Sequence, residues 1–159
     1  DTLDLGQGHV LEFIPTPTPR FPDQLCTYDP QTQLLLTDKL FGCHVCGDQV
    51  LDEGGSIYQE DRRYYFDCVL APSAKQVSVA LDRLAGYPAQ LYVPSHGPLV
   101  KYSLSALTLQ YQQWLSQQKS QSLTVALVYA SAYGNTTTLA QAIARGITKA
   151  GVAVEAINA

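Results

Sequence analysis

The last third of the chain constrains the fold most strongly, because a single strand–helix–strand pattern fills it. Residues 123–129 form a near-continuous apolar run, typical of a parallel strand that is covered on both faces. A polar loop containing glycine follows, and apolar residues at helical spacing predict a helix over 136–149. Gly151 ends that helix, and 152–157 predict the next strand. The pattern predicts one βαβ unit of an α/β protein.

The loop between this strand and helix is a candidate phosphate site. Backbone N–H groups and the helix dipole meet at such a junction, and Gly134 allows close approach of the backbone. No lysine follows the glycine, so one phosphate without a metal suits the loop better than a triphosphate. The alternative is an ordinary polar loop whose Ser or Thr caps the helix. The candidate residues are Ser131, Ala132, Tyr133, Gly134, Asn135 and Thr136.

The first part of the chain has a different organisation. Four prolines within residues 15–22 force an extended loop. Short apolar runs predict strands at 8–14, 33–37 and 91–93, and helical spacing predicts helices at 57–70, 73–85 and 103–118. The polar stretch 119–122 predicts a linker between a first domain, 1–118, and a second, 123–159.

Acidic and histidine side chains follow several predicted strands of the first domain. Asp38 and His96 each come directly after a strand, with Asp23, His44 and His9 elsewhere in the same region. Carboxylates and imidazoles are metal ligands, but the spacing matches no local ligand pattern. A histidine in Ser-His-Gly-Pro is more often structural than a ligand, so both interpretations stay open.

The four cysteines at 26, 43, 46 and 68 leave three interpretations open. Cys43 and Cys46 form a CxxC, and four thiolates could hold zinc, but a second CxxC is missing. A redox CxxC opens a helix after a strand, whereas this one lies in a loop. Free thiols in a reducing cytoplasm are the default, so we predict a cytoplasmic protein.

Charge and hydropathy argue against nucleic-acid-binding, membrane-binding and membrane-spanning proteins. The net charge of −4 and pI near 5.2 argue against a nucleic-acid or anionic-membrane binder, which needs a basic surface. No apolar run reaches the roughly 18 residues of a membrane span, and no signal peptide opens the chain. The chain has no methionine and begins at Asp1, so we expect it to be a piece of a longer protein.

Four motifs together resemble the flavodiiron proteins, and specifically their cyanobacterial branch. They are Phe-Ile-Pro-Thr-Pro-Thr-Pro-Arg-Phe-Pro-Asp at 13–23, Thr-Asp-Lys-Leu-Phe-Gly at 37–42, Ser-His-Gly-Pro at 95–98 and Tyr-Ala-Ser-Ala-Tyr-Gly-Asn-Thr at 129–136. The resemblance implies an α/β fold. Residues 1–118 would be the C-terminal half of a metallo-β-lactamase-like αββα domain, and 123–159 the first βαβ of a flavodoxin-like domain.

The resemblance also implies a function for the parent protein. Members of the family reduce O₂ or NO at a diiron site fed by FMN, and the cyanobacterial ones take electrons from NAD(P)H. The loop Ser131 to Thr136 would then hold FMN in a photoprotective NAD(P)H:oxygen oxidoreductase, as a homodimer or as a heterodimer with a canonical paralogue. We assign no catalytic residue.

The metal site is where this chain departs from the family. Asp38 matches the bridging carboxylate and His96 a histidine ligand, but Arg20 lies near the position of another expected histidine. A guanidinium stays protonated and cannot coordinate iron. We expect Arg20 to form a salt bridge with Asp38 or Asp23. The pattern is similar to paralogues with altered iron ligands, so the alternative function is a metal-free partner or regulatory subunit. A zinc hydrolase of the metallo-β-lactamase type is a third hypothesis, against which the flavodoxin-like segment argues.

Overall fold

The computed structural model describes residues 1–120 and 123–159. Two compact units make up the chain, Asp1–Lys119 and Ser120–Ala159. The predicted linker, 119–122, includes residues 121 and 122, which lie outside the described residues. That linker and the domain bounds 1–118 and 123–159 therefore stay predictions.

A five-stranded sheet organises the first unit. The strands are β1 (Thr2–Gly6), β2 (His9–Pro15), β3 (Leu25–Asp29), β4 (Leu34–Asp38) and β5 (Leu91–Pro94), in that spatial order. Neighbours are antiparallel except β4 and β5, which are parallel and place their carboxyl ends at the same edge. The structure confirms the strands predicted at 8–14, 33–37 and 91–93. It adds β1 and β3, which the sequence analysis did not predict.

Helices follow β4 and β5. The long connection between those strands contains a 3₁₀ turn (Gly55–Tyr58), α1 (Gln59–Tyr65), a π-helical turn (Phe66–Leu70), a second 3₁₀ turn (Ala71–Ser73) and α2 (Ala74–Leu84). After β5 comes α3 (Leu104–Ser120). The predicted helices are confirmed, but the one at 57–70 is divided into three helical types. Pro72 explains its end, because proline lacks the N–H that a continuing helix needs.

The core of the first unit lies between one face of the sheet and these helices. Alternate residues of β2, β3 and β4 point into it, among them Ile14, Cys26 and Leu35. Tyr111 of α3 is fully buried, and its ring packs against the rings of Phe41 (4.8 Å) and Phe66 (5.2 Å). The remaining core side chains are those of Tyr28, Leu40, Tyr65, Leu70, Val77, Ala80, Leu81, Leu84, Val100, Leu107, Trp114 and Leu115.

A buried ion pair joins three segments of this unit. The Arg62 guanidinium of α1 lies 3.2 Å from the Asp52 carboxylate, and both side chains are almost completely buried. The Ser103 hydroxyl donates to the same carboxylate and accepts from Arg62 (2.9 Å). The backbone N–H groups of Lys101 and Tyr102 donate to its other oxygen (2.8 and 2.9 Å). Burial alone would raise the pKa of Asp52, but these four donors together lower it.

The second unit is a single βαβ. Strands β6 (Thr124–Tyr129) and β7 (Ala153–Asn158) are parallel and flank α4 (Asn135–Lys149). This confirms the strand–helix–strand prediction for the last third of the chain. Among the described residues, no helix is both long and apolar enough to cross a membrane.

Candidate functional site

The loop after β6 places a glycine at the N-terminus of α4. Gly134 has φ of 83°, a left-handed conformation that glycine adopts without strain, and an added Cβ would point into open space. The helix starts with the Thr138 N–H, which donates to the Gly134 carbonyl (3.0 Å). The preceding N–H groups of Asn135, Thr136 and Thr137 have no acceptor within the helix, and no side chain caps it. Three backbone donors without an acceptor in the helix therefore converge at this end of α4.

Ser131 has a role inside this loop. Its hydroxyl oxygen accepts the Gly134 N–H at 3.0 Å, which fixes the turn that leads into the helix. Thr138 donates its hydroxyl back to the Gly134 carbonyl (3.2 Å), while Tyr133 is almost fully exposed. The hydroxyl of Thr136 is left exposed at the helix N-terminus. The loop can thus offer backbone N–H groups and one hydroxyl to a phosphate.

A second group of polar side chains lies at the carboxyl ends of the parallel strands β4 and β5. Asp38 ends β4 with φ of 49°, and the Ser95 N–H and hydroxyl both bond to its carbonyl (2.8 and 2.9 Å). His96 follows Ser95, and its carbonyl accepts the N–H of Cys43 (3.0 Å). The fold therefore brings Asp38 and His96, which are 58 positions apart in sequence, to neighbouring turns at one edge of the sheet.

Aromatic rings cluster beside these turns. The His44 ring lies 5.7 Å from the His96 ring and 4.6 Å from the ring of Tyr65. Tyr65 is fully buried, and its hydroxyl has no hydrogen-bond partner among the described residues. Burial raises its pKa to about 12, the nearby Asp38 carboxylate adds to the increase, and Arg20 opposes it. Tyr65, Asp38 and Arg20 thus share one electrostatic environment.

Two cations lie at the exposed side of this cluster. The Lys39 ammonium is 3.3 Å from the Asp38 carboxylate and 3.4 Å from the Ser95 hydroxyl. Arg20 and Lys39 also lie over the same ring, that of Phe21, at 5.4 and 5.6 Å from its centroid. Cation–π contacts of this kind hold both positive charges against the Phe21 ring, and the charge of Lys39 also lies beside the Asp38 carboxylate.

Comparison with known proteins shows relatives that match both units of the chain. The chain is 76% identical over all 159 residues to diflavin flavoprotein A 3 of Synechocystis sp. and 68% identical over 158 residues to diflavin flavoprotein A 6 of Nostoc sp.. The solved flavodiiron core of Flv1 from Synechocystis sp., a metal-soaked crystal, matches 99% of the chain at 75% identity with a TM-score of 0.77. The chain belongs to the flavodiiron protein family. No family model matches it.

The flavodiiron relatives are much longer than this chain. It spans about 27% of diflavin flavoprotein A 3 and 39% of the solved Flv1 core. The flavodiiron protein of Giardia intestinalis has the same fold at 24% identity, with a TM-score of 0.70 over 99% of this chain. These neighbours show the predicted fold class, a metallo-β-lactamase-like α/β half-domain followed by the start of a flavodoxin-like domain.

The charges beside Asp38 do not favour the iron that the flavodiiron family implies at this edge of the sheet. No group of three His, Cys, Asp or Glu side chains in 1–120 and 123–159 could hold a metal ion. The Asp38 carboxylate already has the Lys39 ammonium as its partner. Arg20 adds a second positive charge to the same environment, and a fixed cation opposes the binding of another cation.

The structure corrects the expected contact of Arg20. We expected a salt bridge between Arg20 and Asp38 or Asp23, but no ion pair within the described part of the chain uses Arg20. Lys39 makes the ion pair with Asp38 instead, because it is the next residue along the chain. Arg20 is exposed, and its charge lowers the pKa of Tyr65.

Two other candidate residues lie outside the cluster. His9 is 2.8 Å from Asp29, at the end of the sheet opposite to Asp38, where Thr32 and the Gln31 N–H also bond to Asp29. That arrangement belongs to the turn between β3 and β4. Asp23 lies exposed in the proline-rich loop.

All four cysteines are free thiols. Cys26 and Cys43 are buried, and burial raises the pKa of each thiol to about 11, which makes them poor nucleophiles. Cys46 and Cys68 are exposed. Within the described residues the CxxC therefore has one buried and one exposed thiol and does not form a disulfide.

Sequence analysis missed Lys39 and Tyr65. Lys39 enters the sequence analysis only as one residue of the Thr-Asp-Lys-Leu-Phe-Gly motif, although its place beside Asp38 is a usable signal. Tyr65 is one of ten tyrosines and lies inside a predicted helix, so nothing in the sequence singled it out. Only the fold shows that its ring fills the space above Gly42, where an added Cβ would come within 2.8 Å of it.

Gly97 follows His96, and the structure leaves little space around it. Its φ is 84°, and an added Cβ would lie 2.7 Å from the Cys43 carbonyl oxygen. We expect Gly97→Ala to lower the free energy of unfolding by about 1–3 kcal/mol, because it combines backbone strain with a backbone clash. Chemical denaturation of the full-length protein measures the change. Gly86→Ala is the control, since its nearest neighbour would be 4.0 Å away and its φ is not positive. Equal stability of Gly97→Ala and Gly86→Ala would contradict the tight turn.

Proposed function

We propose that the full-length protein is an FMN-dependent oxidoreductase that passes electrons from NAD(P)H toward reduction of O₂ to water. The observation that supports it best is the N-terminus of α4, where Gly134 leaves three backbone N–H groups exposed. The 75% identity to a solved flavodiiron core adds family-level support. We further propose that it works in the cytoplasm as a homodimer or with a canonical paralogue.

The residues of this chain fit the phosphate of FMN. The N–H groups of Asn135, Thr136 and Thr137 would donate to its oxygens, and the positive end of the α4 dipole would favour its negative charge. Ala132, Tyr133 and Gly134 would form the loop backbone around it, with Ser131 holding the turn. When bound, FMN accepts and releases electrons singly or in pairs; the chain's part is to bind and orient it.

The cluster around Asp38 and His96 supports the alternative function, in which this chain holds no metal. With Lys39 on its carboxylate, Asp38 is neutralised without a metal. Two cations and the buried Tyr65 hydroxyl make this edge of the sheet polar. This ion pair is the specific observation that favours the alternative function, a metal-free partner or regulatory subunit of a canonical flavodiiron protein.

Iron analysis tests the metal-free alternative. We expect the full-length protein, produced with iron supplied, to hold clearly fewer than two tightly bound irons per chain, because the Lys39 ammonium already pairs with the Asp38 carboxylate and opposes cation binding there. Metal analysis after gel filtration in a weak chelator measures the content. The FMN content, measured on the same sample, should be near one per chain.

A matched variant makes this test sharper. Arg20→His removes a fixed charge and supplies an imidazole near an expected ligand position, so it should raise the iron content, whereas Arg83→His on α2 should not. Two tightly bound irons in the unaltered protein would contradict the metal-free alternative. Absence of FMN would contradict the main proposal.

A further inference from the structure

The net negative charge of this chain lies in one segment. Residues 48–67 contain six carboxylates and two guanidiniums, whereas the rest of the chain has eight acidic and eight basic side chains. Asp52 and Arg62 within the segment are buried and neutralise each other. The exposed part of the segment, which includes most of α1, is therefore the acidic surface of an otherwise balanced chain.

A groove lies on this acidic surface, between α1 and α3. Its volume is about 850 Å³, which is large enough for several side chains of a partner. Ile57 and Tyr64, seven residues apart, present exposed apolar side chains at 63% and 65% exposure. Large exposed apolar side chains beside a groove are a feature of interaction sites.

Contacts within this chain fix the side chains at the base of the groove. The Arg63 guanidinium bonds to Asp67 (2.8 Å) and to the Gln117 side-chain oxygen (2.9 Å), and it lies 5.4 Å from the centroid of the Trp114 ring. Tyr, Trp and Arg are the residue types that contribute most binding energy at protein interfaces. Because these side chains are already ordered, binding would cost little side-chain entropy.

The charge at the groove has a definite sign. Arg63 is neutralised by Asp67, while Glu60 also lines the groove and takes part in no ion pair among the described residues. The neighbouring Asp61 and Glu53 are exposed as well. A ligand that enters the groove therefore meets an apolar surface beside unpaired negative charge.

We propose that this groove binds a segment of a partner protein that carries an aliphatic or aromatic side chain flanked by lysine or arginine. The apolar side chain would pack between Ile57 and Tyr64 over the Arg63–Trp114 pair, and a cation would reach Glu60. An anionic membrane or nucleic acid is disfavoured, because the acidic surface repels it. A second copy of this protein is the competing occupant.

Peptide binding to the full-length protein tests the proposal. The probe is a capped twelve-residue peptide with leucine and lysine at helical spacing, and its counterpart has glutamate in place of every lysine. Titration calorimetry at physiological salt should detect the lysine peptide and not the glutamate peptide. Glu60→Lys and Tyr64→Ala should each weaken binding tenfold or more.

Controls separate the groove from general acidity. Asp82→Lys makes the same charge change on the exposed face of α2, away from the groove, and should leave the affinity within twofold. Equal weakening by Asp82→Lys and Glu60→Lys, or stronger binding of the glutamate peptide, would overturn the proposal. It would also be overturned if Glu60→Lys and Tyr64→Ala changed the oligomeric state without changing peptide affinity, since the groove would then be a contact between subunits.

Discussion

Asp52→Ala should lower the free energy of unfolding by about 3–5 kcal/mol, the usual effect of removing one partner of a buried ion pair. The change leaves the Arg62 charge buried without its carboxylate. It also removes the acceptor of the Ser103 hydroxyl and of two backbone N–H groups, those of Lys101 and Tyr102. Urea denaturation of the full-length protein, followed by circular dichroism, measures the loss.

The contribution of Asp52 should depend on pH in one direction. Its pKa is lower in the folded chain than the value of about 3.9 usual for an unfolded chain, so the folded state favours the ionised form. The stabilisation is therefore complete above about pH 5 and is lost as the pH falls below 4. The gap in stability between the unaltered protein and Asp52→Asn should be full at pH 7 and shrink in acid.

Two further variants make this prediction specific. Asp48→Ala removes a nearby exposed carboxylate and should change stability by less than about 0.5 kcal/mol. The double variant Asp52→Leu with Arg62→Met should be more stable than Asp52→Ala alone, because no unpaired charge stays buried. A loss below 1 kcal/mol for Asp52→Ala would show that water reaches the pair.

Short sequence patterns predicted the strands and helices that have a clear distribution of apolar residues. They missed strands that form because neighbouring strands pair with them. The strand at 123–129 was predicted because the run is almost continuously apolar, and the helix at 136–149 because its apolar residues recur at helical spacing. Strand β3, Leu25–Asp29, contains a cysteine, a threonine and an aspartate, and it forms because β2 and β4 pair on both its sides. Pairing of this kind is absent from any short sequence window.

The candidate sites differ in the same way: one is formed by residues that are adjacent in sequence, and the other by residues that are distant. The phosphate loop was predicted because strand, glycine and helix lie together in sequence. The second cluster assembles from two distant segments, 38–44 and the turn at His96, which only the parallel pairing of β4 with β5 brings together. The Asp52–Arg62 pair was not predicted at all, since charged residues in a loop and a helix are expected to be exposed.

FMN binding should depend on the backbone of one loop. The double variant Gly134→Val with Thr136→Ala should weaken FMN binding to the full-length protein about 100-fold or more. Valine is strongly disfavoured at φ of 83°, so the turn must change and carry the N–H groups of α4 away from the phosphate. Each charge-assisted hydrogen bond contributes about 1.5–3 kcal/mol, and losing two of them accounts for the change.

The readout is the affinity for free FMN, followed by the quenching of its fluorescence. Gly146→Val is the matched control, because Gly146 lies in the last turn of the same helix, far from the phosphate loop, has no positive φ and has open space around an added Cβ. It should leave FMN affinity within about threefold. The thermal unfolding of the metallo-β-lactamase-like unit should be the same in both variants, which excludes general misfolding.

Ser131→Ala distinguishes a ligand contact from support of the turn. In the structure the Ser131 hydroxyl accepts the Gly134 N–H, so its loss frees one backbone donor and loosens the turn without closing the site. We therefore expect a loss of affinity of about tenfold, smaller than that of the double variant and equal to roughly one neutral hydrogen bond. If FMN affinity were unchanged in the double variant, the phosphate would lie elsewhere, and the exposed N–H groups of α4 would be no more than an uncapped helix end.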